Sequence, residues 1–170
     1  MSIKSIQLGI LSIILCIGIY YIPIGSQIYL NFFSILSIIP IYIITRKNPS
    51  IGLISYVVSF LSIGAINSYD NSMIFLLFHG LLGIFLGLFS HYRKNHIITS
   101  LITGGILYIS INGYNYINTS YNMCNFNERY ILTQLIILIF SIFFSLLTLS
   151  ICEYVYNKII KINFISNLIK

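Results

Sequence analysis

Residues 20–31 read YYIPIGSQIYLN. Pro23, Gly25, Ser26, Gln27 and Asn31 gather here between two long apolar runs, and clusters of this composition punctuate helices. If the stretch is a turn, the runs on either side are separate helices. The same reading, carried outward, divides the whole chain. Further breaks fall at Arg46-Lys47-Asn48-Pro49, Tyr69-Asp70-Asn71, His91-Tyr92-Arg93-Lys94-Asn95-His96 and the polar stretch 117–129. Six apolar segments lie between them, at about 4–22, 28–45, 50–68, 72–90, 97–116 and 130–156, each near the ~20 residues that a spanning helix needs.

Composition agrees with that division. Of 170 residues, 58% are hydrophobic and 7% are charged, whereas a soluble domain carries about a quarter of its residues as charges. The expected class is an all-α integral membrane protein: one domain over residues 1–170 with six transmembrane helices. The first run is followed by no small-residue cleavage site, so it is expected to remain as a helix. Pro40 is expected to kink the second helix, and Pro49 to begin the third, where its missing N–H costs little.

Charge orients the bundle. With the N-terminus inside, Lys4, Arg46, Lys47, Arg93, Lys94, Lys158, Lys161 and Lys170 are cytoplasmic, and of the nine basic residues Arg129 alone is outside. The opposite orientation would reverse the positive-inside rule. Both termini are therefore expected in the cytoplasm, in the plasma membrane of a bacterium. The net charge of +6 is thus a topology signal. Basic residues scattered among loop ends make no nucleic-acid footprint, and no nucleic-acid partner is expected. Cys16, Cys124 and Cys152 show neither disulfide-framework nor metal-ligand spacing, so no metal and no cofactor are expected. Paired acids, Ser-Lys pairs and His-Glu-x-x-His are absent, which argues against an enzyme.

Polar side chains collect toward the external ends. Asn31, Asn67, Asn112 and Gln134 each sit about a turn inside a helix end, where an unpaired amide costs a few kcal/mol. Converging at one depth, these amides suggest the lining of an outward-facing pocket. Gln27, Tyr116, Glu128 and Arg129 share the external ends, where Glu128 could meet a cation and Arg129 a carboxylate, while the cytoplasmic ends carry positive charge and little else. His79 lies about two turns into the fourth helix, and an intramembrane ionisable residue is a functional candidate. A second pattern is a seam of small residues. Ser2, Ser5, Gly9, Ser12 and Cys16 fall within about an 80° arc of the first helix, and Gly80, Gly83, Gly87 and Ser90 repeat the device on the fourth. Such seams let helices approach closely in a bilayer.

The order of these features resembles the substrate-binding S components of energy-coupling factor (ECF) vitamin transporters. It is carried by the small seam on helix one, then IPIG, then FFSILSIIPIYI with its proline, RKNPSIGLISY and FHGLLGIFLGLFSHYRKN. The resemblance implies six helices with cytoplasmic ends, and a pocket for a vitamin or related micronutrient near the external face. It makes the loop bearing Pro23, Gly25 and Ser26 a lid, with Gln27 and Asn31 facing the ligand. It also implies docking onto a transmembrane coupling subunit with two cytoplasmic ATPases, through Ser5-x-x-x-Gly9 and Ser12-x-x-x-Cys16. The family more often has alanine at those positions. No G-x-x-x-x-G-K-[ST] loop occurs in the sequence, so such energy would come from partners. A rival from another class is the rod-shape scaffold protein MreD, of similar length and helix number, which works by helix–helix contacts and needs neither pocket nor lid.

Overall fold

The computed structural model describes residues 3–21, 34–66, 69–92, 95–118 and 128–160, with the side chains of 116–118, 128–130 and 160 outside the description. Six helices account for nearly all of it. They are α1 (Ile3–Tyr21), α2 (Ile38–Lys47, entered through a 3₁₀ turn Ile35–Ser37), α3 (Pro49–Ile66), α4 (Tyr69–His91), α5 (His96–Asn118) and α6 (Glu128–Ile160). Among the described residues no strand is present. Five of the helices, all but α2, are long and apolar enough to cross a membrane. Helices suit that solvent because each satisfies its own backbone polar groups. The chain is a membrane protein by this character. The proposed lid (Pro23, Gly25, Ser26), with Gln27, Asn31 and Asn67, lies outside the described residues.

Local sequence sets the boundaries. Asn48 is extended (φ −144°, ψ 101°), as a residue before proline prefers. Pro49 then opens α3, and the Asn48 Oδ1 accepts from the Ile51 N–H at 3.4 Å. Asn95 caps α5 similarly, its Oδ1 accepting from the Ile97 N–H at 3.0 Å. Pro40 falls at the third residue of α2, directly after the 3₁₀ turn. A proline there cannot donate to the carbonyl four residues back, and its ring crowds that carbonyl. The structure places a 3₁₀ turn, Ile35–Ser37, immediately before the helix that carries it.

α2 is the hub. Ile38, Pro40, Ile41, Tyr42, Ile43, Ile44 and Thr45 are all buried. On one side Ile38, Tyr42 and Ile43 join Leu82, Leu86, Leu107, Leu149 and Cys152 from α4, α5 and α6. On the other, Ile41 joins Cys16, Tyr20, Ile63 and Phe75 from α1, α3 and α4. Glycines set how closely the helices approach. A Cβ on Gly83 would stand 2.9 Å from the Ile38 carbonyl oxygen, and one on Gly87 2.7 Å from Thr45 Cβ and 2.8 Å from the Tyr42 carbonyl. Gly83 and Gly87 of the fourth helix's seam are therefore the bed on which α2 lies. Outward faces are apolar: Ile136, Ile139, Phe140 and Phe143 of α6 and Leu53, Ile54 and Leu61 of α3 are exposed, as lipid-facing positions should be.

The helices run up and down, so that the start of α1, the junction of α2 and α3 and the junction of α4 and α5 share one end. Contacts between Arg46 and Glu153 and between Arg46 and His91 fix that basic end. The Ile3 end of α1 and the Glu153–Ile160 part of α6 both belong to it, Lys4 lying close enough to Lys47 for their charges to interact.

Candidate functional site in the bundle interior

α1 places Ser5, Leu8, Gly9, Ser12, Cys16 and Tyr20 on one buried stripe, at the three- and four-residue spacing that stacks side chains on a helix face. α3 answers with Ile51, Gly52, Ser55, Ser59 and Ile63. The two stripes meet: a Cβ on Gly9 would be 2.8 Å from Ile51 Cγ2, and the Ser55 hydroxyl donates to the Gly9 carbonyl at 3.4 Å. Further along, Ser59 lies beside the Cys16 thiol. That thiol donates to the Ser37 carbonyl at 3.7 Å, and the Ser37 hydroxyl donates to the Ser34 carbonyl at 2.6 Å. The side chains of Ser34 and Ser37 reach the Tyr20 hydroxyl. Tyr20 in turn shares a 2.7 Å hydrogen bond with Nδ1 of His79, the imidazole tautomer deciding which atom donates. A polar track from four helices thus crosses one half of an otherwise hydrocarbon interior.

His79 ends this track. It is 8% exposed and lies ten residues beyond Tyr69, the first residue of α4, which is roughly 15 Å of helix rise. It therefore lies toward the same end of the bundle as Tyr20, the last but one residue of α1. Here α4 widens into a π-helical segment, Phe75–Gly80. Widening disturbs the backbone ladder, and the Tyr56 hydroxyl of α3 meets it by donating to the Leu76 carbonyl at 2.8 Å. Gly80 admits the Tyr56 ring, since a Cβ there would lie 2.6 Å from it. π-helical turns of this kind are frequent at functional sites. Phe75 packs edge-on to Tyr20 with centroids 5.9 Å apart, so His79 is held in an aromatic wall.

The expected site residues divide. His79 stands on the track, and so does Cys16, which the resemblance had assigned to docking. Ser5, Gly9, Ser12 and Cys16 are all buried. Within this fold the seam is interhelical packing covered by α3, and the open face of α1 is Ile6, Ile10, Leu11, Ile14 and Leu15. Asn112 and Gln134 are on the α5–α6 side, where both meet Tyr108. The Asn112 Nδ2 donates to the Tyr108 carbonyl of its own helix at 3.0 Å, and the Tyr108 hydroxyl donates to the Gln134 Oε1 at 2.9 Å. They are spent on each other's neighbourhood and do not join His79. The backbones of Tyr116, Glu128 and Arg129 lie at the ends of α5 and α6, their side chains being outside the description. Among the described residues no three His, Cys, Asp or Glu side chains come together as metal ligands.

The basic end is more organised than its composition suggested. Arg46 donates to the Tyr42 hydroxyl at 2.7 Å, stacks over the Tyr156 ring at 4.2 Å and pairs with Glu153 at 3.7 Å. His96 Nε2 is 3.5 Å from the other Glu153 oxygen, and His91 donates from Nδ1 to the Arg46 carbonyl at 2.7 Å. One arginine thereby ties α2, α4 and α6 together, with α5 joined through Glu153. Sequence reading missed this clasp, and it missed Tyr20, Ser34, Ser37 and Ser59. The signal for Tyr20 was present in its position one helical turn beyond Cys16 on the small seam.

Compared with family models, with curated proteins and with solved structures, the chain has no match in any of the three.

Proposed function

We propose that the protein is a membrane-embedded binding subunit for a small solute, of the kind found as the S component of ECF-type vitamin importers. The observation that carries this reading is the buried Tyr20–His79 pair, at the end of a hydroxyl track and within a π-helical turn. An ionisable side chain buried in a bilayer is costly, and its retention there is a functional-site hypothesis by default. In this reading the solute enters from the end opposite Arg46, the external face of a bacterial plasma membrane. A transmembrane coupling subunit with two cytoplasmic ATPases supplies the energy, and docking on α1 uses its exposed Ile and Leu face, because the small seam is occupied by α3.

A second reading, a helix-contact scaffold of the MreD type, draws on a specific observation. Asn112 and Gln134 are both engaged by Tyr108, as ordinary interhelical packing would have them. Purified protein challenged with a panel of vitamins and related micronutrients separates the two. A bound solute at one hundred times its Kd stabilises the fold by about 2.7 kcal/mol. Stabilisation by one compound supports the binding subunit. No shift with any of them favours the scaffold.

A further inference from the structure

The six helices are joined in two ways. Within α1–α4 backbones touch: a Cβ on Gly52 would stand 2.6 Å from Thr45 Cα, and Gly83 and Gly87 lie against α2 carbonyls. Hydrogen bonds tie the same helices at Cys16–Ser37, Tyr20–His79, Tyr56–Leu76 and His91–Arg46. α5 and α6 make a second unit of this kind. A Cβ on Gly104 would stand 2.6 Å from Ile142 Cα, the Thr103 and Ser145 hydroxyls are bonded, and Tyr108 reaches Gln134 at 2.9 Å. Between the two units the contact rests on side chains. An apolar cluster from α2 and α4 meets Leu107, Leu149 and Cys152, and none of the described glycines sets the backbone of one unit against the other. Packing also fades along the α5–α6 hairpin. Its described buried residues lie within 99–107 and 141–152, and none lies within 108–115 or 131–140.

The hairpin is pinned at its packed end, the basic one. Arg46 pairs with Glu153 at 3.7 Å and stacks over Tyr156 at 4.2 Å, and α4 passes to α5 within a few residues, from His91 to His96. Toward the opposite, outer end its contact with α4 includes the edge-on Phe78–Tyr114 pair, with centroids 5.5 Å apart. We propose that α5 and α6 swing as one body about the Arg46–Glu153 end, parting from α4 at Phe78 and Tyr114. Stiff bodies that meet across a side-chain interface turn against each other without breaking their internal bonds, and segments with few buried contacts open first. The parting falls at the π-helical turn Phe75–Gly80, which carries both Phe78 and His79. On the solute-binding reading it is the entrance to the site, but the motion stands without that reading.

Pulsed spin-label distance measurements on the full chain in lipid nanodiscs, with no solute added, test it. Cys124→Ser removes one native thiol, while Cys16 and Cys152 are fully buried and label slowly. One pair of labels, at Ile66→Cys and Leu132→Cys, reports on the outer end. A second pair, at Leu53→Cys and Ile151→Cys, reports on the basic end, all four native side chains being exposed. The expected result is one narrow distance at the basic end and, at the outer end, a second and longer population. That population should grow when Tyr114→Ala removes the ring contact. A single narrow distance at both ends would overturn the proposal. Equal broadening at both ends would overturn it as well, because helices loosened throughout have no pivot. An outer population that Tyr114→Ala leaves unmoved would show that the units do not part at Phe78 and Tyr114.

Discussion

Replacing Tyr20 with Phe removes one oxygen atom and leaves the ring, with its edge-on contact to Phe75 at 5.9 Å, in place. What is lost is the 2.7 Å bond to His79, together with the approach of the Ser34 and Ser37 side chains to the same hydroxyl. Interhelical side-chain hydrogen bonds in membranes average about 0.6 kcal/mol, with a maximum near 1.7. Leaving the imidazole nitrogen of a residue that is 8% exposed without a partner adds desolvation, which costs about 1–3 kcal/mol for a buried group. Tyr20→Phe should therefore destabilise by about 1–2 kcal/mol, above the mean for a membrane hydrogen bond. His79→Leu removes the orphan as well, so adding Tyr20→Phe to His79→Leu should cost much less than Tyr20→Phe alone. The assay is a double-mutant cycle on reversible unfolding in mixed micelles. A coupling energy of about 1 kcal/mol is expected. A value within the ~0.3–0.5 kcal/mol scatter of independent sites would show that the two side chains do not work as a pair.

Gly87→Ala places a methyl 2.7 Å from Thr45 Cβ and 2.8 Å from the Tyr42 carbonyl. It should cost about 1–3 kcal/mol as overpacking, whereas alanine at Gly105, where a Cβ meets nothing within 4 Å, should be neutral or slightly stabilising in the same unfolding assay. Gly9→Leu should lower stability and abolish any ligand binding together, because its side chain must displace Ile51 of α3. Retention of ligand binding with loss of a partner in pull-down would restore the seam as an outward docking face. At the basic end, Glu153→Gln should cost less than about 1 kcal/mol, since the pair is partly exposed and screened by salt. Arg46→Ala should cost more, because it also loses the Tyr156 ring at 4.2 Å and the bond to Tyr42. Thermal melts at low and high salt would compare the two.

The helices were legible because each break has a local chemical cause. Asn48-Pro49 and Asn95 end or begin helices through proline sterics and side-chain caps, and both act within three residues. The six apolar segments match α1 to α6 with shifts of a few residues at their ends, though α2 is described only from the turn before Ile38. The site was less legible, since it depends on which helices face each other. Ser34, Ser37 and Ser59 look like incidental small residues in apolar runs until α2 and α3 are set against α1. The sequence assigns Asn112 and Gln134 a depth along their helices but no azimuth, and both meet Tyr108. Arg46 and Glu153 are distant in sequence and carry no mutual signature. The π-helical segment left one trace, Gly80 beside His79, which was visible as seam and not as a widened turn.

The claim that the buried track serves a solute is tested most directly by equilibrium binding. Take whichever micronutrient stabilises the wild-type protein and measure its Kd for wild-type and His79→Leu proteins, with each shown to be folded by its unfolding transition. A loss of affinity of tenfold or more, about 1.4 kcal/mol, in a variant that keeps a cooperative transition is the predicted result. Unchanged affinity in that variant would contradict it, and would place the solute away from Tyr20 and His79.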